Sequence, residues 1–377
     1  MEEGGFKMRK IMSRAAVLTG IRQMEMRDIP IPEIGAEDGL LKVEMVGVCG
    51  SDPGFYNGKT KVPFPLIMGH EIVGRIEEIG ENKAKVSGVK KGDRVVVENR
   101  FGCGKCKACI EGNYAQCVDR MGYGVYFGCD NPPYLWGAYS EYLYLPPRAM
   151  IHKIDEGVPL EAAVLTTSVL GNNVRWLGEI GGVKLGDTVL IAGCGQQGLA
   201  GTVVAREFGA SKVIVMGTSR PFDEKRMILA KEFGATDLIY VDKEDPVARV
   251  KEITDGNLAD VMMDVSGAPS NMEISVDLVR KMGTIVTPGL YGPHFAAMDF
   301  DKVVQKELKI CGALAQSYHS NEIAVKLVES RKYPLEKMVT HWFELEEAEK
   351  AVLTTAHELP SDVNPIKCVI LPNGRVE

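Results

Sequence analysis

The sequence predicts an α/β chain in which a doubly wound parallel sheet accompanies a mainly β domain, and three observations carry that prediction. From about Asp187 onward, short apolar strands alternate with helical segments, the texture of a parallel sheet with crossover helices. Before that point β-branched residues are broken up by glycine and proline, as in short strands joined by turns. The glycine-rich segment Gly193-Cys-Gly195-Gln-Gln-Gly198 follows an apolar strand and opens a helix, the one context in which such a loop is informative. A chain of 377 residues, 45% hydrophobic, is long enough for two domains with separate cores. The expected division gives residues 1–175 and 325–377 to the β domain and 176–324 to the doubly wound domain.

In chain order, the β half rests on "LLKVEMVGVCG", "IVGRIEEIG", "GDRVVVENRFGCG" and "AYSEYLYLPP", each an apolar or alternating run closed by turn residues. The parallel sheet rests on "DTVLIAG", "KVIVMG", "DLIYV", "DVMMDVSG" and "TIVTPG", with helices through "GLAGTVVAREFG" and "EKRMILAKEFG". A helix is expected over residues 321–334, "NEIAVKLVESRKYP", and the strand-like end "NPIKCVILPNG" is expected to rejoin the β domain. No repeat at a period of 20–50 residues is present, and no low-complexity linker.

Composition narrows the partners. The formal net charge is −7 with both signs dispersed, so no basic stripe is available for a nucleic acid or an acidic membrane face. No stretch reaches about 18 uninterrupted apolar residues, and the first twenty residues lack the apolar core of about 7–15 residues of a secretory leader. A cytoplasmic protein acting on small molecules is expected. Nine cysteines, five of them scattered as Cys49, Cys129, Cys194, Cys311 and Cys368, fit a reducing compartment better than a disulfide framework.

The other four form "GCGKCKACIEGNYAQC": Cys103, Cys106, Cys109 and Cys117, with Gly102, Gly104 and Gly112 allowing tight turns. Four convergent thiolates suit a tetrahedral zinc and close its coordination sphere, which makes the site structural; an iron–sulfur cluster is the competing occupant.

The glycine loop, Gly193, Gly195 and Gly198 with Gln196 and Gln197 between them, suits a dinucleotide: a tight turn, close approach to a pyrophosphate, and a helix N-terminus facing the anion. About 20 residues on, where an acid would hold the ribose hydroxyls of NAD, stands "MGTSR". Gly217 opens space, Thr218 and Ser219 offer hydroxyls, and Arg220 offers a guanidinium for a 2′-phosphate, which favours NADP over NAD; a solvated surface arginine is the other reading of Arg220.

Cys49 in "GVCGSD" and His70 with Glu71 in "GHE" each end an apolar run beside glycines. A thiolate with an imidazole is a zinc pair, and a carboxylate beside it completes or tunes the site.

Taken together, "GVCGSD", "PLIMGHEIVGRIEEIG", "KKGDRVVV", the four-cysteine segment, "GAYSEY", "GVKLGDTVLIAGCGQQG" and "KEFGATDLI" resemble the zinc-containing alcohol and polyol dehydrogenases of the medium-chain dehydrogenase/reductase superfamily, over nearly the whole chain. The resemblance implies a GroES-like catalytic domain, a Rossmann domain inserted before the C-terminal return, and a homodimer or homotetramer. It implies that Cys49 and His70 bind an open catalytic zinc, that Ser51 passes the substrate proton, that Asp52 stands behind the metal ligands, and that Lys367 lies where relatives bring a basic side chain to the cofactor pyrophosphate. Read from its neighbours alone, Lys367 is equally a solvated lysine on an edge strand.

The chain departs from the family twice. Where relatives place the third protein ligand, it has Thr166 and Thr167, which leaves three arrangements open: Glu71 as ligand, water in the gap, or loss of the catalytic metal. In "SDPG", Gly54 stands where many relatives extend the proton relay with histidine. The dense aromatics of residues 121–142 fit a substrate mouth, a subunit contact or the covering of the β domain, while Phe55, Tyr56 and Asn57 follow Cys49 closely enough to meet substrate. The expected activity is zinc-dependent hydride transfer between a secondary alcohol or polyol and NAD(P). The alternatives are a zinc-free reductase of activated alkenes and an NADP-binding protein without turnover.

Overall fold

The computed structural model describes residues 7–359 and 364–375; residues 1–6, the start of the stretch read for a leader, lie outside the described residues. The chain divides into two compact units, Met1–Ser168 with Ser317–Glu377, and Val169–Gln316. Both crossings fall a few residues N-terminal to the expected 175/176 and 324/325.

In the first unit a sheet runs in the order Ile151–Lys153, Arg94–Val97, Glu71–Ile79, Gly39–Gly47, Lys367–Leu371, Val339–Glu344, with Tyr142–Leu145 also paired to Gly39–Gly47. A second sheet joins Gln23–Pro32, Met8–Gly20 and Leu66–Ile67. One apolar core lies between them, built from alternating strand residues such as Val43, Ile72, Val95 and Leu143. The C-terminal strand Lys367–Leu371 is central, antiparallel to Gly39–Gly47 and parallel to Val339–Glu344. The chain end thus returns to this unit as the sequence indicates, but not to an edge.

The aromatics of residues 121–142 mostly pack inward: Tyr123, Trp136 and Tyr139 are buried in this core, with Phe127 and Tyr134 against it. These side chains cover the core of the first unit, while Tyr126, Tyr134 and Tyr142 keep partial exposure.

The second unit is a six-stranded parallel sheet in the order Asp237–Tyr240, Lys212–Gly217, Thr188–Ala192, Ala259–Asp264, Val279–Thr287, Lys309–Gly312. Val189 to Ala192 are fully buried, as required of a central strand covered on both faces. Three helices, Pro221–Glu232, Pro246–Ile253 and Pro269–Leu278, begin on proline, whose fixed φ suits the first helical position and whose missing N–H is no loss there. Asp245 caps the second of these, accepting from the amides of Val247 and Ala248 at 2.8 and 3.2 Å.

Sheet order reverses beside Thr188–Ala192, the switch point at which a Rossmann fold takes its dinucleotide. Among the described residues no helix is long and apolar enough to cross a membrane.

Candidate metal and coenzyme sites

Cys49 follows the Gly39–Gly47 strand, and the short helix Asp52–Tyr56 starts three residues later. Within that turn the Cys49 amide donates to Asp52 Oδ2 at 2.8 Å, and the buried Tyr139 hydroxyl donates to the same oxygen at 2.9 Å. Both bonds hold the fully buried Asp52 carboxylate so that Oδ1 lies 3.6 Å from His70 Nδ1. His70 is buried at the entrance to the Glu71–Ile79 strand, within hydrogen-bond reach of the Cys49 thiol, and the Phe55 ring meets it edge-on with centroids 6.4 Å apart. The structure therefore brings Cys49 and His70 together and places Asp52 Oδ1 beside the imidazole at ion-pair distance, without a hydrogen bond between them.

Electrostatically the pocket calls for a cation. Burial alone would lower the His70 pKa, but Asp52, Cys49 and Glu71 outweigh it and lift it to about 9. Asp52 Oδ1, His70 Nδ1 and Glu71 Oε1 are buried without a hydrogen-bond partner among the described residues. Sulfur and imidazole side by side are a pair that fits zinc, while no third ligating atom converges on them among the described residues.

The third ligand is a different matter. Thr166 Oγ1 donates to the Ala163 carbonyl at 2.7 Å and Thr167 Oγ1 to the Val97 carbonyl at 3.4 Å, so both hydroxyls are engaged with backbone. Glu71 Oε2 forms a fully buried ion pair with Lys367, whose ammonium also donates to the Val48 carbonyl at 3.0 Å. A Cβ at Gly47 would collide with the Glu71 carboxylate and approach Lys367 Cε to 2.8 Å, so glycine makes the room for this pair. Lys367 is thus neither solvated nor presented to a cofactor phosphate: its charge is neutralised inside the first unit. Sequence reasoning could not see this pair, because the partners are 296 positions apart.

Ser51 is exposed just ahead of the Asp52–Tyr56 helix and does not cap it, which leaves its hydroxyl for other partners. The side chains of Tyr56 and Asn57 are engaged with other residues. Tyr56 donates to Glu349, and Asn57 bonds to Glu358 at 3.1 Å and to Arg22.

Among the described residues, the four cysteines form the one group in which three or more metal-ligating atoms converge: Cys103, Cys106, Cys109 and Cys117 place their sulfurs within 4.8 Å of one another. Backbone amides serve the sulfurs, Cys103 to Cys117 Sγ and Cys106 to Cys103 Sγ at 3.3 Å each. The amides of Lys105 and Cys106 pull the Cys103 thiol down to about 6, toward the thiolate a metal needs. A tetrahedral ion fits this group.

In the second unit Gly193 takes φ +109°, and a Cβ on Gly198 would fall onto the Gly193 carbonyl oxygen, so the loop closes only with glycine there. Beside it lies a cavity of about 450 Å³, lined among others by Gly193, Gly195, Gly217, Thr218, Asp223 and Arg226. Gln196 and Gln197 open the helix Gln196–Glu207, where Gln197 accepts from Asn173 Nδ2 at 2.8 Å and Gln196 keeps a buried Oε1 without a partner among the described residues.

The expected phosphate-binding hydroxyls are otherwise engaged. Thr218 donates to Asp223 Oδ2 through its amide at 3.0 Å and its hydroxyl at 2.7 Å, and Ser219 donates to Asp242 through its amide at 2.8 Å and its hydroxyl at 2.9 Å. Arg220 is exposed outside the cavity wall. Asp223 and Arg226, which do line it, escaped the sequence reading because "PFDEKR" looks like a solvated helix face.

Residues 35–156 match the alcohol dehydrogenase GroES-like domain, and residues 198–330 match the zinc-binding dehydrogenase domain. The chain is 38% identical over 365 residues to the "probable alcohol dehydrogenase" of Mycobacterium tuberculosis, covering 95% of this chain and 98% of that one. It is 33% identical over 334 residues to the D-arabitol-phosphate dehydrogenase of Enterococcus avium, covering 88% and 90%. An alcohol dehydrogenase from Thermotoga maritima superposes with a TM-score of 0.88 at 27% identity, covering 96% of this chain and 100% of that one. On these matches, which run through both units, the chain belongs to the zinc-containing alcohol dehydrogenase family of the medium-chain dehydrogenase/reductase superfamily.

Proposed function

We propose that the protein is a zinc-dependent dehydrogenase that moves hydride between a secondary alcohol or polyol and NAD(P), with the ketone as the other partner. The observation that carries this reading is the Cys49–His70 pair with Asp52 behind it. A buried imidazole and carboxylate beside a half-buried thiol have no packing role that apolar residues would not fill better. The names of its relatives, an alcohol and a sugar-alcohol phosphate dehydrogenase, support a secondary hydroxyl as substrate.

In this reading Cys49 and His70 would hold the catalytic zinc, Glu71, whose Oε1 has no partner among the described residues, would swing in as the third protein ligand, and Cys103, Cys106, Cys109 and Cys117 would hold the structural zinc. Zinc held there would supply Lewis acidity at a substrate oxygen, and a bound nicotinamide coenzyme would supply the hydride acceptor. Asp52 balances charge beside the imidazole, and Ser51, exposed beside Cys49, carries the alcohol proton outward without the histidine that Gly54 replaces. Gly193, Gly195 and Gly198 admit the dinucleotide at the start of the Gln196–Glu207 helix.

Further, the protein works in the cytoplasm as a homodimer or homotetramer. The open edge strand Lys309–Gly312, with exposed Phe300, Val304, Ile310 and Leu314 in the same unit, supports assembly.

Zinc counting on purified protein tests the central claim. Two zincs per chain are expected, one in His70→Ala, with four cysteines still holding theirs; one zinc in both proteins would confine metal to the cysteine segment. A panel of secondary alcohols with either coenzyme, followed by absorbance of the reduced nicotinamide, should show turnover lost by at least about 100-fold in Ser51→Ala if that hydroxyl relays the proton.

A further inference from the structure

Cys49 and His70 sit on different turns of the first unit, and the strand ladder stops short of both. Gly47 opposite Glu71 is the last pair between Gly39–Gly47 and Glu71–Ile79, so Cys49 lies beyond the ladder on one strand and His70 ahead of it on the other. Something besides that ladder must fix the spacing of sulfur and imidazole. One side chain touches both turns: Tyr139, which is 87 positions beyond Asp52 and has no exposed surface.

On the Cys49 side, the Tyr139 hydroxyl donates to Asp52 Oδ2 at 2.9 Å, the same oxygen that takes the Cys49 amide at 2.8 Å. With two donors on Oδ2, the other oxygen is left facing His70 Nδ1, 3.6 Å away. On the His70 side, the Tyr139 amide donates to the Met68 carbonyl at 2.9 Å and the Ala138 amide to the Gly69 carbonyl at 3.0 Å. The ring itself lies against Gly69. That residue takes φ +92°, and a Cβ on it would stand 2.5 Å from Tyr139 Cδ1, so the backbone and the ring both demand glycine ahead of His70.

A buried phenylalanine would fill the same space as this ring. It could not hold the Asp52 carboxylate. Zinc bonds of about 2.0–2.3 Å leave little slack between a thiolate and an imidazole, so a turn that drifts by a fraction of an ångström weakens the grip of both.

Resting on the reading of Cys49 and His70 as a zinc pair, we infer that Tyr139 is the positioning residue of that pair: it clamps the Cys49 turn through Asp52 and the His70 turn through Met68 and Gly69. The hydroxyl, and not only the ring, then contributes to metal affinity.

Competing zinc against a chromophoric chelator tests this without turnover, the site in question being the zinc that His70→Ala fails to hold. Tyr139→Phe keeps the ring on Gly69 and removes the hydroxyl. Zinc affinity at that site should fall by about tenfold or more, the usual effect of losing a residue that orients ligands from behind, while the cysteine segment keeps its zinc. In an Asp52→Ala background, where the hydroxyl has no carboxylate to hold, the same change should lower affinity by less than about twofold further. An affinity within about twofold of wild type in Tyr139→Phe, or a second tenfold fall on top of Asp52→Ala, overturns the inference and leaves the zinc reading intact. Loss of the cysteine zinc in Tyr139→Phe would mark a general loosening of the unit and overturns it as well. A wild type without any His70-dependent zinc overturns the reading and the inference together.

Discussion

Glu71 and Lys367 carry opposite charges where neither side chain has exposed surface, and that sets the cost of disturbing either one. Lys367→Met would leave the Glu71 carboxylate buried without its cation, with an expected loss of about 3–5 kcal/mol in stability. Replacing both, Glu71→Gln with Lys367→Met, should recover most of that loss, and urea unfolding of the three proteins checks it. If Glu71 also ligates the catalytic zinc, Glu71→Gln in a wild-type background should bring zinc content from two toward one, which elemental analysis reads directly. The readable residues of the site were those marked by their neighbours in sequence: Cys49 and His70 stand between apolar runs and glycines, so their chemistry shows through. Lys367, inside "PIKCVIL", carries no such mark, because a buried lysine on a central strand looks locally like a snorkelling one at an edge. Asp223 was hidden in the opposite way, among charges that advertise solvent.

Fully buried strands were the elements most legible in advance. "DTVLIAG", "KVIVMG", "DLIYV", "DVMMDVSG" and "TIVTPG" each lie on a strand of the parallel sheet, because burial on both faces demands continuous apolar runs. The helix expected from residue 321 starts earlier, at Tyr318, because Ser317 and Ser320 cap each other's amides. The helix Phe300–Gln305 and the edge strand Lys309–Gly312 went unread, since Phe300, Val304 and Ile310 face outward and break the amphipathic pattern. The long hairpin of Met8–Gly20 and Gln23–Pro32 was missed too, its charged residues disguising the alternation. One element gives a clean stability test. Asp245→Ala removes the acceptor for two amides at the start of Pro246–Ile253 and should cost about 1 kcal/mol, read as a lower urea midpoint with unchanged slope.

At the scale of the whole chain, the proposed metal, coenzyme and assembly should make separable contributions. Prolonged chelation should remove zinc and expose residues 102–118 to proteolysis, while NADH binding, which belongs to the second unit, persists; limited digestion with fluorescence titration checks both. Val304→Glu with Ile310→Lys should shift the protein to a smaller species in light scattering, since Val304 is 75% exposed beside the open edge strand. The division of labour between two units was legible from the change of texture near Asp187, whereas the third zinc ligand was not, because Thr167 shows only which residue is missing. The threading of Lys367–Leu371 through the middle of a sheet has a consequence for biosynthesis. Glu71 leaves the ribosome 296 residues ahead of its counter-ion, so a nascent chain carries an unbalanced acid through most of its own translation. The intervening Val169–Gln316 segment emerges whole in that interval. Closure of the Glu71–Lys367 pair therefore waits for the last residues to be made, and a chain truncated shortly before Lys367 lacks both the cation and the strand Lys367–Leu371 that joins Gly39–Gly47 to Val339–Glu344.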